Sequence, residues 1–408
     1  MRLKSFHVRL FRNILDSGPI NVADTTCLVG KNEAGKSALI SALHRLNPAQ
    51  PTPMALLDEY PRWLKKEHEI SGEIKSAVPI SATYTLEESE LRSIEEKFGV
   101  GVLKQADVQI SRNYTDDKFQ ISTDIDYKRF IGLFLDEHAS ASIRDQLSSA
   151  QTSTQLVELL DRLALQVSAP SEPTADAQAA KETRKKLDAV LHGSPSLRVA
   201  IEEAIIRPLV PKTFYFSHYS QLRGRYRLAE LLPALKTPTD DEEVQAAADL
   251  LRQARVSAKE MESEDFERSN SELEAISSLL TRRVKQNWKQ NEHLKLEIKI
   301  ESGVDQGAPA KFLQIRVRDA RHDFTSRLDR RSTGFQWFVS FMASFLEFEQ
   351  DKSLILLLDE PGLSLHARAQ IDLLDTVDRY LSKSRQVLYT TRRPPAFSSG
   401  WLWSRPAL

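Results

Sequence analysis

Cysteine is almost missing from this chain: one residue, Cys27, in 408, so no intrachain disulfide framework can be written for it. Long apolar runs are missing as well. The opening MRLKSFHVRLFRN is too polar for a signal peptide, and the apolar stretch before LLLDE is only a few residues long, a buried strand and not a membrane span. Excess charge of either sign is absent, with 56 basic against 57 acidic residues and a net charge of -1. That excludes a wholly cationic surface while leaving room for a local basic groove. With 41% hydrophobic and 28% charged residues, disorder as the main state is excluded, and one large core or two modest ones are expected. A cytoplasmic protein without membrane insertion fits these absences.

What is present changes character along the chain. SFHVRLF alternates, and NVADTTCLVG follows an expected turn at Gly18 and Pro19, so residues before 30 read as strands feeding a glycine-rich loop. ALISALHRLN carries a helical stripe that Pro48, Pro51 and Pro53 end. Strand-like segments such as AVPISATYTL and ADVQISRNY follow, so residues 1–129 are expected to form a first block. Residues 130–292 are helix-rich, interrupted by a core-like aromatic segment near 210–224. An ordinary helical subdomain is expected there, with a projecting coiled coil as the alternative, since a/d periodicity is not sustained. Residues 293–390 read as two alternating strands, an aromatic helix, a buried strand, a helix and the final strand QVLYTT. Residues 391–408 form an atypical tail.

GKNEAGKS fits the G-x-x-x-x-G-K-[ST] phosphate loop from Gly30 through Lys31, Asn32, Glu33, Ala34, Gly35 and Lys36 to Ser37, with apolar residues before it and a helix-forming run after it. In such a loop backbone N–H groups surround phosphates, the lysine reaches the terminal ones, and the serine hydroxyl ligates Mg2+. Far downstream, LLLDEP ends a buried strand in Asp359 and Glu360. Buried carboxylates need a cation or a polar network. Asp359 is therefore placed to hold Mg2+ through water, and Glu360 to polarise the attacking water. The plainer alternatives are a glycine-rich turn before an unrelated helix and a helix cap after a strand.

LVGKNEAGKSALISAL, YFSHYSQLRG, RRSTGFQWFVSF, LLLDEPGLSLHARAQ and QVLYTT, in this order, resemble the ABC-like ATPase heads of recombination and chromosome-maintenance proteins. The resemblance is strongest to the ATPase part of the overcoming-lysogenisation-defect (OLD) nucleases. It implies an α/β P-loop NTPase of the ABC-ATPase type, with a mixed sheet, antiparallel β decoration and a large helical insertion. It implies ATP and Mg2+ as cofactors and a head-to-head homodimer in which Ser332 and Gly334 reach the other subunit's nucleotide, Thr333, Phe335 and Gln336 supporting that loop. A cap and core role for the same residues stays open. Arg12 would stand near the nucleotide, or face solvent with Arg9 and Lys4. Ser364 and His366 would lie at the dimer interface, His366 otherwise being an ordinary helical residue. Gln221 is too weakly placed to join the catalytic set of Lys36 and Glu360.

The pattern breaks at the end. Where the resemblance implies a histidine after the last strand, this chain has Arg392, a permanent cation that cannot shuttle a proton as imidazole can. No acidic residue follows Asp378, and two of the five tryptophans fall in the last eight residues, which reads as a truncated or frameshifted product or an evolved short tail. The Toprim nuclease domain that the resemblance implies has no room there, so no nuclease site is expected without a separate nuclease or effector subunit. The leading expectation is an ATP-hydrolysing dimer coupled to DNA binding, DNA maintenance or phage defence, with TRRVKQNWKQ as a candidate basic patch or, in the plainer and favoured alternative, a solvated helix face. Its rival is an ATP-gated interaction module with little turnover, or an inactive product. A transporter ATPase or a small-molecule kinase fits less well.

Overall fold

The computed structural model of the chain describes residues 1–50, 52–116, 118–165, 167–168, 172–217, 220–237, 239, 241–255, 267–361, 363, 365, 367–377, 381–383, 385–392 and 402–404. Ser364, His366 and the tail over 393–408, apart from 402–404, lie outside the described residues. The chain divides into two units, one of residues 1–21, 45–47 and 51–211, the other of residues 22–44, 48–50 and 212–408.

The first unit is built on a five-stranded antiparallel sheet in the order Ile14–Asn21, Arg2–Phe11, Ile80–Thr85, Asp107–Arg112, Gln120–Ser122. Period-2 alternation buries Ile80, Ala82 and Tyr84 on one face. In Arg2–Phe11 the buried positions are Leu3, Phe6, Val8 and Phe11. The step of three between Leu3 and Phe6 coincides with a register shift at Leu3/Ser5, a bulge that returns the apolar side chains to the same face. The first hairpin turns at Arg12 and Asn13, between the paired Phe11 and Ile14, and not at Gly18 and Pro19. Arg12 takes left-handed backbone, φ 53°, as tight hairpins require. Gly18 and Pro19 stay within the second strand, Gly18 at φ 62° close to a second register shift.

The second unit holds a five-stranded parallel sheet in the order Leu402–Ser404, Thr25–Val29, Val387–Thr391, Ile355–Leu358, Thr213–Phe216. Such a sheet is covered on both faces, which is why ILLL is buried at every position. One cover is the helix Thr333–Phe345, whose Trp337 and Phe341 meet Phe216 edge-on at 5.4 and 5.5 Å. Each such aromatic contributes roughly 1.5–3 kcal/mol by leaving water. A second, antiparallel sheet joins Arg225–Arg227, Ala308–Asp319 and Leu294–Asp305, with Phe324–Arg327 paired to Ala308–Asp319. Parallel and antiparallel sheets with many helices thus give the α/β P-loop architecture expected.

The expected helical insertion over 130–292 is divided between the units because its helices serve two cores. Phe130 of Tyr127–His138 packs with Phe98 and with Phe134 in the first unit. Leu250, Leu273 and Leu280 belong to the core of the second. The long helix Glu267–Asn287 is no projecting coiled coil. Asn270 accepts from Ile300 N–H at 2.7 Å, Ser277 from Ile298 N–H at 2.9 Å and Thr281 from Leu296 N–H at 2.9 Å. Three polar side chains on one helical face thereby close the exposed edge of the strand Leu294–Asp305, which would otherwise offer unpaired donors.

Candidate active site

The candidate site lies at the carboxyl ends of three neighbouring parallel strands of the second unit. The strand Thr25–Val29 runs into the loop Gly30–Ser37, and the helix Lys36–Leu46 starts inside it. Loop backbone turns through Glu33 at φ 63° and Gly35 at φ 80°, the left-handed steps from which an anion-binding nest of N–H groups is made. A Cβ on Gly30 would stand 3.3 Å from the Ala34 Cβ, so the loop is closed tightly on itself. Lys31, Asn32 and Glu33 are exposed on its outer side. Lys36 is 4% exposed. Its ammonium donates to the carbonyls of Gly30 at 2.9 Å and Lys31 at 2.8 Å and stands 3.8 Å from Glu360 Oε1.

The strand Ile355–Leu358 delivers the acidic pair to the same place. Ser37 Oγ donates to Asp359 Oδ1 at 3.0 Å across 322 residues of sequence. Asp359 accepts two further hydroxyls, Thr390 at Oδ1, 2.6 Å, and Tyr215 at Oδ2, 3.1 Å. Glu360 adopts φ 46°, strained for a residue with a Cβ. Its N–H donates to Thr390 Oγ1 at 2.8 Å, and its carbonyl accepts from Leu363 N–H at 3.0 Å. Arg392 closes the row, its Nε 3.4 and 3.1 Å from the two carboxylate oxygens of Glu360.

Lys36, Ser37, Asp359, Glu360 and Arg392 are therefore brought together. Tyr215 and Thr390 were missed by motif reading, although the parallel register that pairs Leu358 with both Phe216 and Tyr389 puts Thr390 beside Asp359. Ser332 and Thr333 are exposed at the start of the helix Thr333–Phe345, with the Ser332 side chain accepting from Phe335 N–H. Gly334 is buried, and the Gln336 amide anchors the helix by donating to the Leu222 carbonyl at 2.9 Å. Gln221 is buried in the preceding loop. Arg12 sits exposed in the hairpin of the first unit, its guanidinium 5.4 Å from the Phe11 ring centroid. Lys4 and Arg9 pair with Asp107 and Asp16.

The aromatic of TRRVKQNWKQ offers nothing to nucleic acid. Trp288 is 5% exposed and packs on Phe335 and Phe338 at 5.5 and 5.1 Å. Arg283 beside it pairs with Glu349. Cys27 is buried in the phosphate-loop strand, where burial pushes its thiol up to about 11 and leaves it unreactive.

A strand–glycine loop–helix with a facing acidic strand defines a nucleoside-triphosphate-binding ATPase of the P-loop class. The chain belongs to the AAA ATPase domain family, whose profile matches residues 1–391. No curated protein matches it. Among solved structures it is similar to the Smc head bound to the C-winged helix domain of ScpA, with 10% identity, 97% of this chain and 91% of that chain covered, and a TM-score of 0.41. It is also similar to the Smc head domain with an extended coiled coil bound to the C-terminal domain of ScpA from Pyrococcus furiosus, with 15% identity, coverage of 96% and 90%, and a TM-score of 0.36. Among the described residues no helix is long and apolar enough to cross a membrane.

Proposed function

We propose that the chain binds ATP with Mg2+ and hydrolyses it, using Glu360 as the base. The observation that carries this reading is the Ser37–Asp359 hydrogen bond of 3.0 Å, which joins the phosphate loop to the acidic strand. The residues fit ATP and Mg2+: a curled loop for phosphates, a buried ammonium at its centre, and a serine hydroxyl and carboxylate in contact as a cation requires. Magnesium, when bound, supplies charge neutralisation at the phosphates. Ser37 and Asp359 hold it, Lys36 steadies the terminal phosphates, and Glu360 takes the proton of the attacking water.

A second copy completes the site in this reading, presenting Ser332 and Gly334 from the start of the helix Thr333–Phe345. The exposure of Ser332 and Thr333 at a helix N-terminus supports that role. Coupling to DNA, in maintenance or phage defence, rests on the resemblance to OLD-type and chromosome-maintenance heads.

The test is phosphate release by the wild type and by Glu360→Gln, with binding of a fluorescent ATP analogue measured beside it. Turnover lost with binding retained supports the assignment. Undiminished turnover in the variant removes Glu360 from the role. Sedimentation of Glu360→Gln with ATP reads the dimer. One observation favours a second reading, an ATP-gated binding module with little turnover: Arg392 and Lys36 both engage the carboxylate that would act as base.

A further inference from the structure

We propose that Tyr215 and Thr390 are positioning residues for the magnesium-side acid, two hydroxyls that fix the Asp359 carboxylate and tie it to the backbone of Glu360. The inference rests on the reading of Asp359 given above and assigns it supports that the phosphate-loop and acidic motifs do not contain.

Proton accounting gives the direction of each bond. A threonine hydroxyl has one proton. Thr390 Oγ1 accepts the Glu360 N–H at 2.8 Å, so its own proton goes to Asp359 Oδ1 at 2.6 Å. Asp359 Oδ1 also receives the Ser37 hydroxyl, which keeps the serine's lone pairs free to face a cation. Tyr215 spends its proton on Oδ2 at 3.1 Å. With both oxygens held from different strands, the carboxylate cannot rotate without giving up a bond on each side.

The two supports are themselves held. Thr390 is fully buried in the strand Val387–Thr391, so nothing from solvent replaces its hydroxyl. The Tyr215 ring stacks on His44 at 5.5 Å, and His44 Nδ1 lies 3.1 Å from the Thr213 hydroxyl. Groups in this position orient a metal-binding carboxylate and set its affinity, and their removal typically costs about 10–100-fold.

The experiment uses the full chain and a fluorescent ATP analogue, titrated at rising Mg2+ and separately in EDTA, for the wild type, Tyr215→Phe, Thr390→Val and Thr390→Ser. In Tyr215→Phe and Thr390→Val the Mg2+ midpoint for binding should rise roughly tenfold or more, with affinity in EDTA unchanged. Thr390→Ser, which keeps the hydroxyl, should stay near the wild type. Excess Mg2+ should restore turnover in Tyr215→Phe. A wild-type midpoint in both hydroxyl-less variants overturns the proposal, and so does an equal loss of affinity with and without Mg2+, which marks a deformed loop. If Thr390→Val fails to fold, Tyr215→Phe decides alone, because it removes one oxygen from a partly exposed ring. A wild type whose nucleotide binding ignores Mg2+ sinks the ATPase reading and this inference with it, whereas wild-type dependence unmoved by the variants sinks this inference only.

Discussion

Replacing Arg392 with glutamine should make the enzyme faster. Arg392 Nε lies 3.1 Å from Glu360 Oε2, with the arginine side chain 48% and the glutamate 17% exposed. Bare Coulomb attraction at that separation, with an effective dielectric of 20, is about 5 kcal/mol. Half-exposed pairs retain far less once hydration, side-chain entropy and salt are counted, about 0.2–1 kcal/mol. If Glu360 must leave this partner before it takes a proton, removing Arg392 lowers the barrier by the same amount. At 1.36 kcal/mol per tenfold, turnover should rise about 1.4- to 5-fold.

The assay is steady-state phosphate release at saturating ATP and Mg2+, at low and high potassium chloride. Salt screens an exposed pair, so wild-type turnover should climb with salt towards that of Arg392→Gln, while the variant stays flat. Arg392→His should also gain, since imidazole can be neutral near pH 7. A fall in turnover in Arg392→Gln would refute the reasoning and make Arg392 a cation that serves the phosphates directly. Equal salt response in wild type and variant would refute it too, by showing that the pair holds nothing back.

Two further outcomes test the placement of residues away from the chemistry. Trp288→Ala should destabilise the second unit by about 3–5 kcal/mol in urea unfolding, because the indole is buried against Phe335 and Phe338; an unchanged unfolding midpoint would put Trp288 on the surface. Asp107 receives a hydrogen bond from Lys4 and another from Thr85, which hold its carboxyl below the ordinary value of 3.8. Its folded value being depressed, the stability it contributes is present above that ordinary value and lost as pH falls through the folded one. Asp107→Asn should therefore lower the thermal midpoint at pH 6 while narrowing the difference from wild type below pH 3. A difference that persists at low pH would count against the ion pair.

The phosphate loop and acidic strand were legible in the sequence because each packs its chemistry into a few consecutive residues between apolar flanks. Tyr215 and Thr390 were not, since a single hydroxyl in TFYF or YTT carries no local pattern; only strand order and register reveal that both face Asp359. Trp288 misled because a tryptophan between cations has the composition of a nucleic-acid patch. What separates the two cases is helical phase: Leu273, Leu280, Val284 and Trp288 lie on the buried stripe that meets the core. Asn270, Ser277 and Thr281 likewise looked like ordinary polar positions and turn out to close a sheet edge. The coiled-coil alternative survived in the sequence because that edge is made by residues that come later in the chain. Gly18 and Pro19 suggested a turn by composition, whereas the turn falls where Phe11 and Ile14 pair, and the glycine lies close to a register shift.

Glu360 shows how the site separates what is fixed from what can move. Its left-handed backbone costs roughly 1 kcal/mol or more. That strain is over-determined by the N–H bond to Thr390 and the carbonyl's bond from Leu363 N–H. The side chain has no comparable anchor among these bonds. It lies between two cations, the buried Lys36 at 3.8 Å from one oxygen and the half-exposed Arg392 at 3.1 Å from the other. A change of partner therefore needs only rotamer motion of long side chains, with the strand end and the Asp359 carboxylate left in place. For that reason the control of turnover should appear as a dependence on salt and on the residue at 392, while the Mg2+ dependence of nucleotide binding, set by the hydroxyls around Asp359, stays the same when Arg392 is replaced.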